Sequence, residues 1–232
     1  MNLDISIING WLNVFKKQGY TSSYVVRTLK KKFNIKKIGH YGTLDPLASG
    51  VLPLALGEAT KTIQFITFNQ KSYSFFINWG KETDTCDKEG KVIQETNIRP
   101  NIDEIKLTIK KYFMGNIDQT PPIFSAVKVD GKRAYHLARK NEQFKINSKK
   151  IKIFKFELLK LINKNKAQFE VSCGPGTYVR SLARDLSKKL GTLGHASNIV
   201  RLKNSYFCIS KSISYDKIIK SNKLNFYNKL LP

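Results

Sequence analysis

The run Gly39-His40-Tyr41-Gly42-Thr43-Leu44-Asp45-Pro46-Leu47-Ala48-Ser49-Gly50-Val51-Leu52-Pro53 is the densest chemical signal in the sequence. Three glycines and two prolines in fifteen residues specify backbone geometry that other residues do not adopt. Pro46 disfavours the helical region for Asp45, so its carboxylate is expected on a stiff, extended stretch. A carboxylate can serve as a covalent nucleophile. An isolated Asp-Pro more commonly caps the next segment or closes an Asx-turn. Both roles stay open on these residues alone, as does a plain hydrogen-bonded role for His40.

Other chemistries lack their residues. Gly57 is followed by Glu58, and Lys61 comes three positions too late for a phosphate-binding Gly-x-x-x-x-Gly-Lys-Ser/Thr loop. Asp45 has no acidic neighbour in its own loop, which disfavours a paired-carboxylate glycosidase. No Gly-x-Ser-x-Gly elbow occurs. Cys86, Cys173 and Cys208 are as scattered as His40, His136 and His195, so neither a disulfide framework nor a structural zinc site is expected.

Composition sets the partner class. Across 232 residues, 41 Lys+Arg against 17 Asp+Glu leave a formal charge of +24, a field that attracts polyanions. Hydrophobic residues at 41% suffice for a core. No stretch approaches the roughly 20 apolar residues of a membrane-spanning helix, and Met1 to Ile8 lacks the order of a secretion signal. A cytosolic, nucleic-acid-binding globular protein is the expectation.

The elements that must position these residues follow from local patterns. Thr21-Ser22-Ser23 can cap a helix bearing Val25, Val26, Leu29 and Phe33, with a lysine-rich outer face. Gly39 to Pro53 reads as a loop with short elements, and Glu58 to Phe68 as helical with a buried Ile66/Phe68 edge. Tyr73, Phe75, Ile77 and Trp79 alternate as in a strand. Asn101 or Asp103 can cap a helix with Ile105, Ile109, Tyr112 and Phe113 on one side. Gln119 to Asn147 reads as a loop-helix excursion carrying Lys128, Lys132, Arg133, Arg139, Lys140 and Lys145. Lys150 to Leu161 and Ala167 to Cys173 form an expected strand pair. After the turn Gly174-Pro175-Gly176, Thr177 is expected to cap a helix with Leu182, Ala183, Leu186 and Leu190. Strands and helices intermix without a regular βαβ beat, which favours an α+β fold.

The Gly39–Thr62 run, with the stretch to Pro53 and then Leu56-Gly57-Glu58-Ala59-Thr60-Lys61 within it, closely resembles the catalytic motif of the bacterial tRNA pseudouridine-55 synthases, the TruB family. Lys16 to Ser22, Lys71-Ser72-Tyr73, Gly80 to Asp87, Pro122 to Lys128 and Gly176-Thr177-Tyr178-Val179-Arg180 resemble further motifs of that family, in its order. The resemblance implies a mixed, mostly antiparallel sheet flanked by helices, with the active cleft across the sheet. It implies isomerisation of a T-arm uridine of tRNA to pseudouridine, without metal or cofactor.

Carried over by position, Asp45 matches the nucleophile, Tyr73 the ring that stacks on the target base, and Arg180 the arginine that pairs with the aspartate. Tyr178 and Ile199 match pocket positions, and His40 the histidine filling the space vacated by the flipped nucleotide. On pattern alone Tyr73 also fits a core aromatic, and Arg180 a solvated phosphate contact. Lys16, Lys61, Lys128, Lys132, Arg133 and Arg201 are expected at the RNA. Lys17 stands where the family usually has proline. Val200 replaces the first arginine of Leu-Arg-Arg, leaving Arg201 alone. The chain ends at Leu230-Leu231-Pro232, about where a C-terminal PUA domain would begin. The expectation is therefore a single catalytic domain over 1–232, binding tRNA as a monomer, with residues 119–147 as an RNA-contacting insertion. An RNA chaperone and a guide-RNA-dependent pseudouridylase are the competing readings.

Overall fold

A computed structural model of the chain describes residues 8–67 and 69–221. Phe68, expected at a buried helix edge, and the Leu230-Leu231-Pro232 end lie outside the described residues, as do all but the last of Met1 to Ile8. The chain divides into two compact units, the first running to Ser72 and resuming at Val200, the second Tyr73–Ile199.

The first unit opens with strand β1 (Gly10–Lys16), helix α1 (Ser22–Lys32), β2 (Ile38–His40) and β3 (Ser49–Leu56), followed by a 3₁₀ helix, Gly57–Phe65. The second contains β4 (Lys71–Trp79, mostly), β5 (Lys81–Thr83), β6 (Val92–Glu95), α2 (Ile102–Tyr112) and β7 (Gly115–Gln119). It continues through β8 (Lys128–Val129), β9 (Lys132–Arg133), α3 (Ala134–Arg139), β10 (Lys149–Asn163), β11 (Lys166–Cys173) and α4 (Val179–Lys189). Strand β12 (Gly194–Asn204) starts in the second unit and ends in the first, which β13 (Phe207–Cys208), β14 (Ile213–Ser214) and α5 (Tyr215–Lys220) complete.

In the first unit the strand order is β14-β1-β3-β12, with β2 on β3 and β13 on β12. β1 and β3 are antiparallel through Gly10↔Leu56 to Lys16↔Gly50, while Val200↔Ser49 and Arg201↔Gly50 pair in parallel. In the second unit the order is β12-β4-β11-β10-β7, with antiparallel β10–β11 and β10–β7 pairs. The architecture is α+β with a mixed sheet flanked by helices, as expected.

Local signals explain much of this. Thr21 caps α1 by accepting from the Tyr24 N–H, satisfying one orphan amide, and Asn101 forms a reciprocal capping box with Glu104 on α2 that satisfies two amides. β4 buries Tyr73, Phe75, Ile77 and Trp79, as its alternation predicts. Phe75, Phe156 and Phe169 meet at centroid distances of 5.7–6.0 Å in the core of the second unit.

Three expectations need correction. Tyr112 is exposed, because α2 turns only Ile105, Ile109 and the following Phe113 inward. Thr177 does not cap α4: its hydroxyl donates to the Gly174 carbonyl and closes the preceding turn, leaving Tyr178 as the cap residue. The second half of the Gly39–Pro53 run is not loop but the start of β3, whose Val51 to Leu56 are buried. A strand buried on both faces reads as a continuous apolar run without alternation, so periodicity could not reveal it. The 119–147 excursion begins after Gln119, a buried end of β7, and folds as the β8–β9 hairpin around Asp130-Gly131 followed by α3.

Candidate active site

Asp45 lies half-buried between two pinned neighbours. On one side, the Leu44 N–H donates to Ser22 Oγ (2.9 Å) and the Ser22 hydroxyl donates back to the Leu44 carbonyl (3.1 Å). On the other, the Pro46 carbonyl accepts from the Gly19 N–H (2.8 Å) and from Lys16 Nζ (3.4 Å). The Ala48 N–H closes a backbone turn onto the Asp45 carbonyl at 3.1 Å. Each bond contributes only about 1 kcal/mol net. Their joint effect is to hold the carboxylate's backbone in one orientation before any ligand arrives.

Lys16 is fully buried, and its ammonium also donates to the carbonyls of Lys17 (2.9 Å) and Tyr20 (2.7 Å). It ties the 17–20 loop to Pro46. Arg201 is likewise 0% exposed, with Nε on the Val51 carbonyl (2.7 Å), Nη2 on Gly42 (2.8 Å) and Nη1 on Thr43 (3.3 Å). Asn204 Nδ2 donates to the Tyr41 carbonyl at 2.7 Å. Two residues of β12 thus hold three successive carbonyls, 41 to 43, just ahead of Asp45. Placing Lys16 and Arg201 at the RNA is therefore a correction: both cations point into carbonyl clusters and reach no solvent. Burying a guanidinium requires acceptors for its donors, and these main-chain oxygens supply them.

Gly50, paired with Arg201, has φ +108°, and a Cβ there would sit 2.2 Å from the Arg201 carbonyl oxygen. Gly42, at φ +74°, allows the turn over Asn204 and Arg201. The glycines flanking Asp45 are thus required by close approach as well as by conformation.

His40 Nε2 is 3.1 Å from Thr43 Oγ1. Burial, and secondarily the Arg201 guanidinium, hold its pKa below the usual histidine value. A depressed folded pKa means the unfolded chain binds the proton more readily, so stability present above about pH 6.5 is lost as pH falls through the folded pKa. The midpoint of urea unfolding is expected to fall between pH 7 and pH 5, and less so in His40→Gln; identical pH profiles for the two proteins would refute this.

In the second unit, Arg180 stands in the first turn of α4 and is 5% exposed. Nη1 donates to the Thr85 carbonyl (3.0 Å) and lies 3.5 Å from Asp87 Oδ2, while Nη2 donates to the Phe124 carbonyl (3.1 Å). Asp87, also buried, is itself held by Thr85 Oγ1 (2.8 Å) and the Glu89 N–H (3.0 Å). The Gly80–Asp87 motif therefore serves to hold Arg180, a role its residue types did not disclose. Gln119 brackets Tyr178 in the same way, accepting from its N–H (2.8 Å) and donating to its carbonyl (3.1 Å). Tyr178 is half-buried, whereas Tyr73 and Ile199 are buried. Ser22, Asn204, Asp87 and Gln119 are the supporting residues that sequence reasoning missed. An N-cap cluster, an acidic motif and a Gln before Thr-Pro-Pro were the available signals.

Lys61 is exposed and ion-paired with Glu58, and Lys128, Lys132 and Arg133 are exposed on the β8–β9 hairpin, with Arg133 donating to the Ala126 carbonyl. Among the described residues, no three His, Cys, Asp or Glu side chains gather into a metal-binding group, and no helix is long and apolar enough to cross a membrane.

Comparison with known proteins places this geometry. The model of the TruB family pseudouridylate synthase N-terminal domain matches residues 30–179. The tRNA pseudouridine synthase B of Wolbachia pipientis subsp. Culex pipiens is 45% identical over 222 residues, covering 95% of this chain and 62% of that protein. Those of Bartonella henselae (44%, covering 91% and 66%) and Ehrlichia ruminantium (43%, covering 96% and 76%) are similar. The chain thus spans less than two thirds of the length of the first two. Among solved structures, a Cbf5-Nop10-Gar1 complex matches with a TM-score of 0.72 at 28% identity, over 98% of this chain and 58% of that one. An H/ACA RNP bound to a substrate RNA containing 2'-deoxyuridine matches at 0.69 and 25%, over 96% and 56%. On a family match over more than half its length and on relatives well above 40% identity, the chain belongs to the TruB family of pseudouridylate synthases.

Proposed function

We propose that this chain is a tRNA pseudouridine(55) synthase: it isomerises the T-arm uridine of tRNA to pseudouridine, with Asp45 as the covalent nucleophile. The reaction breaks the N-glycosidic bond, turns the uracil and rejoins it through C5, exchanging only the C5 proton with water. It is redox-neutral and is assigned to side chains alone, without metal or cofactor. The observation that carries the reading is the pinning of Leu44 and Pro46, which holds the backbone bearing the carboxylate fixed between them.

The half-buried Asp45 carboxylate calls for a compensating cation, and Arg180 is assigned that role because a guanidinium can offer two parallel hydrogen bonds. Its burial and its hold on Thr85 and Asp87 support a fixed partner over a solvated phosphate contact. Everting the target base costs a few kcal/mol, and stacking on Tyr73 recovers about 1–3 kcal/mol. Tyr178 and Ile199 are assigned to the pocket and His40 to the space left in the RNA loop. The working form is a cytoplasmic monomer on tRNA.

Tritium release from a bare tRNA transcript labelled at uridine C5 tests the function, with one equivalent released per tRNA expected in the absence of any guide RNA or partner protein. No release at saturating protein refutes it, and release only with an added guide RNA favours a guide-dependent enzyme.

Residues 120–147 are assigned to the RNA as well, through the exposed lysines of the hairpin, and Lys61 is assigned as a further exposed phosphate contact. Each phosphate contact carries a slope of roughly 0.7–0.9 in log K against log salt. Lys128→Ala and Lys132→Ala are each expected to lower the slope by about that amount; unchanged slopes would remove the hairpin from the interface.

A further inference from the structure

Three tyrosines on the first unit form one aromatic cluster. Tyr215, buried at the start of α5, lies 5.2 Å from Tyr20 and 6.4 Å from Tyr24, tilted 59° and 55° to them. Tyr20 stacks on Tyr24 at 5.1 Å with only 19° between the planes. Tyr24, on the first turn of α1, is 38% exposed. The Arg27 guanidinium lies over the Tyr24 ring, 6.0 Å from its centroid. Lys30 and Lys31 farther along α1 are exposed, and Asp216, next to Tyr215, is paired with Lys17.

The cluster grows from the segment that clamps the Asp45 loop. Gly19 bonds Pro46, the Tyr20 carbonyl accepts from buried Lys16, and Ser22 bonds both main-chain groups of Leu44. Tyr20 and Tyr24 are thus held in fixed register with the proposed nucleophile. An exposed ring stacked on a second, with a guanidinium over it, offers an aromatic surface to a base and charge to its phosphate.

We infer that Tyr24 is a second stacking platform, on which an unpaired base of the RNA neighbouring the target uridine packs while Arg27 meets its phosphate. The inference rests on the proposed function, since it takes the substrate to be an RNA loop. The packing of Tyr24 against half-buried Tyr20 and buried Tyr215 keeps the platform rigid, so little side-chain freedom is lost on binding.

The test is filter binding of a T-arm stem-loop RNA at several salt concentrations, with tritium release measured alongside. Tyr24→Ala is expected to weaken binding about five- to a hundredfold, raise KM, and leave kcat and the salt slope unchanged. Tyr24→Phe is expected within twofold of wild type. Tyr24→Leu, which preserves apolar packing on Tyr20 but has no π-face, is expected to weaken binding like Tyr24→Ala, and it carries the test should Tyr24→Ala unfold. Binding by Tyr24→Leu within twofold of wild type overturns the platform, as does a loss accompanied by a fall of nearly one unit in salt slope, the mark of a phosphate contact. A wild-type chain that binds the RNA and releases no tritium refutes the isomerase reading while the binding comparison still decides the platform. A wild-type chain that does not bind the RNA overturns both.

Discussion

Asp45→Asn is expected to slow tritium release by about 10⁴-fold or more, with RNA affinity within a fewfold of wild type. The amide matches the carboxylate in shape but is not a nucleophile, so the step that detaches uracil or opens the sugar has no attacking group. The loop itself has little reason to move. Leu44 is held by Ser22, Pro46 by Gly19 and Lys16, and the Ala48 bond uses the main chain of residue 45. Melting temperature is therefore expected to change by only a few degrees. Single-turnover release and thermal unfolding, measured on the same preparation, separate the two effects. Residual release within tenfold of wild type would show that the carboxylate is not the nucleophile, whatever the fold.

Arg201 carries the second large effect, and it is an effect on stability. Arg201→Ala is expected to lower unfolding free energy by about 3 kcal/mol or more, because the carbonyls of Gly42, Thr43 and Val51 lose their donor inside the protein and a large buried volume empties. Arg201→Lys keeps the charge, yet one compact ammonium does not span Val51 on β3 and the Gly42-Thr43 pair together. It is expected to lose roughly half as much. Urea unfolding followed by circular dichroism reads both. A surface phosphate contact would behave in the opposite way, with unchanged stability and weaker RNA binding for Arg201→Ala; that outcome would contradict the buried geometry. Since the Gly42 and Thr43 carbonyls lie just ahead of Asp45 and Val51 just after it, the destabilised variants that still fold are expected to lose turnover as well.

Local chemistry made several features readable from residue types. Pro46 after Asp45, glycines at 42 and 50, the Asn101–Glu104 capping box and the Tyr73-to-Trp79 alternation each act within a few residues, and each is where pattern places it. The β10–β11 pair around Lys164-Asn165 is equally local. Strand β3 escaped notice because a run buried on both faces has no alternation to detect. Order among motifs was enough to suggest the family even where single residues depart from its pattern, as at Lys17 and Val200.

What the linear order determined by itself was the presence of a stiff carboxylate-bearing turn and the elements around it, because backbone strain, capping and alternation depend on neighbours in the chain. The fate of the charges was decided only in three dimensions. Lys16 and Arg201 look in sequence like any of the other 39 basic residues, yet folding surrounds them with main-chain oxygens from segments as much as 159 positions away. Arg180 finds Asp87 and the Thr85 carbonyl by the same means. A cation's role depends on which carbonyls and carboxylates reach it once water is excluded, and that is a property of packing between distant segments, which no local pattern encodes.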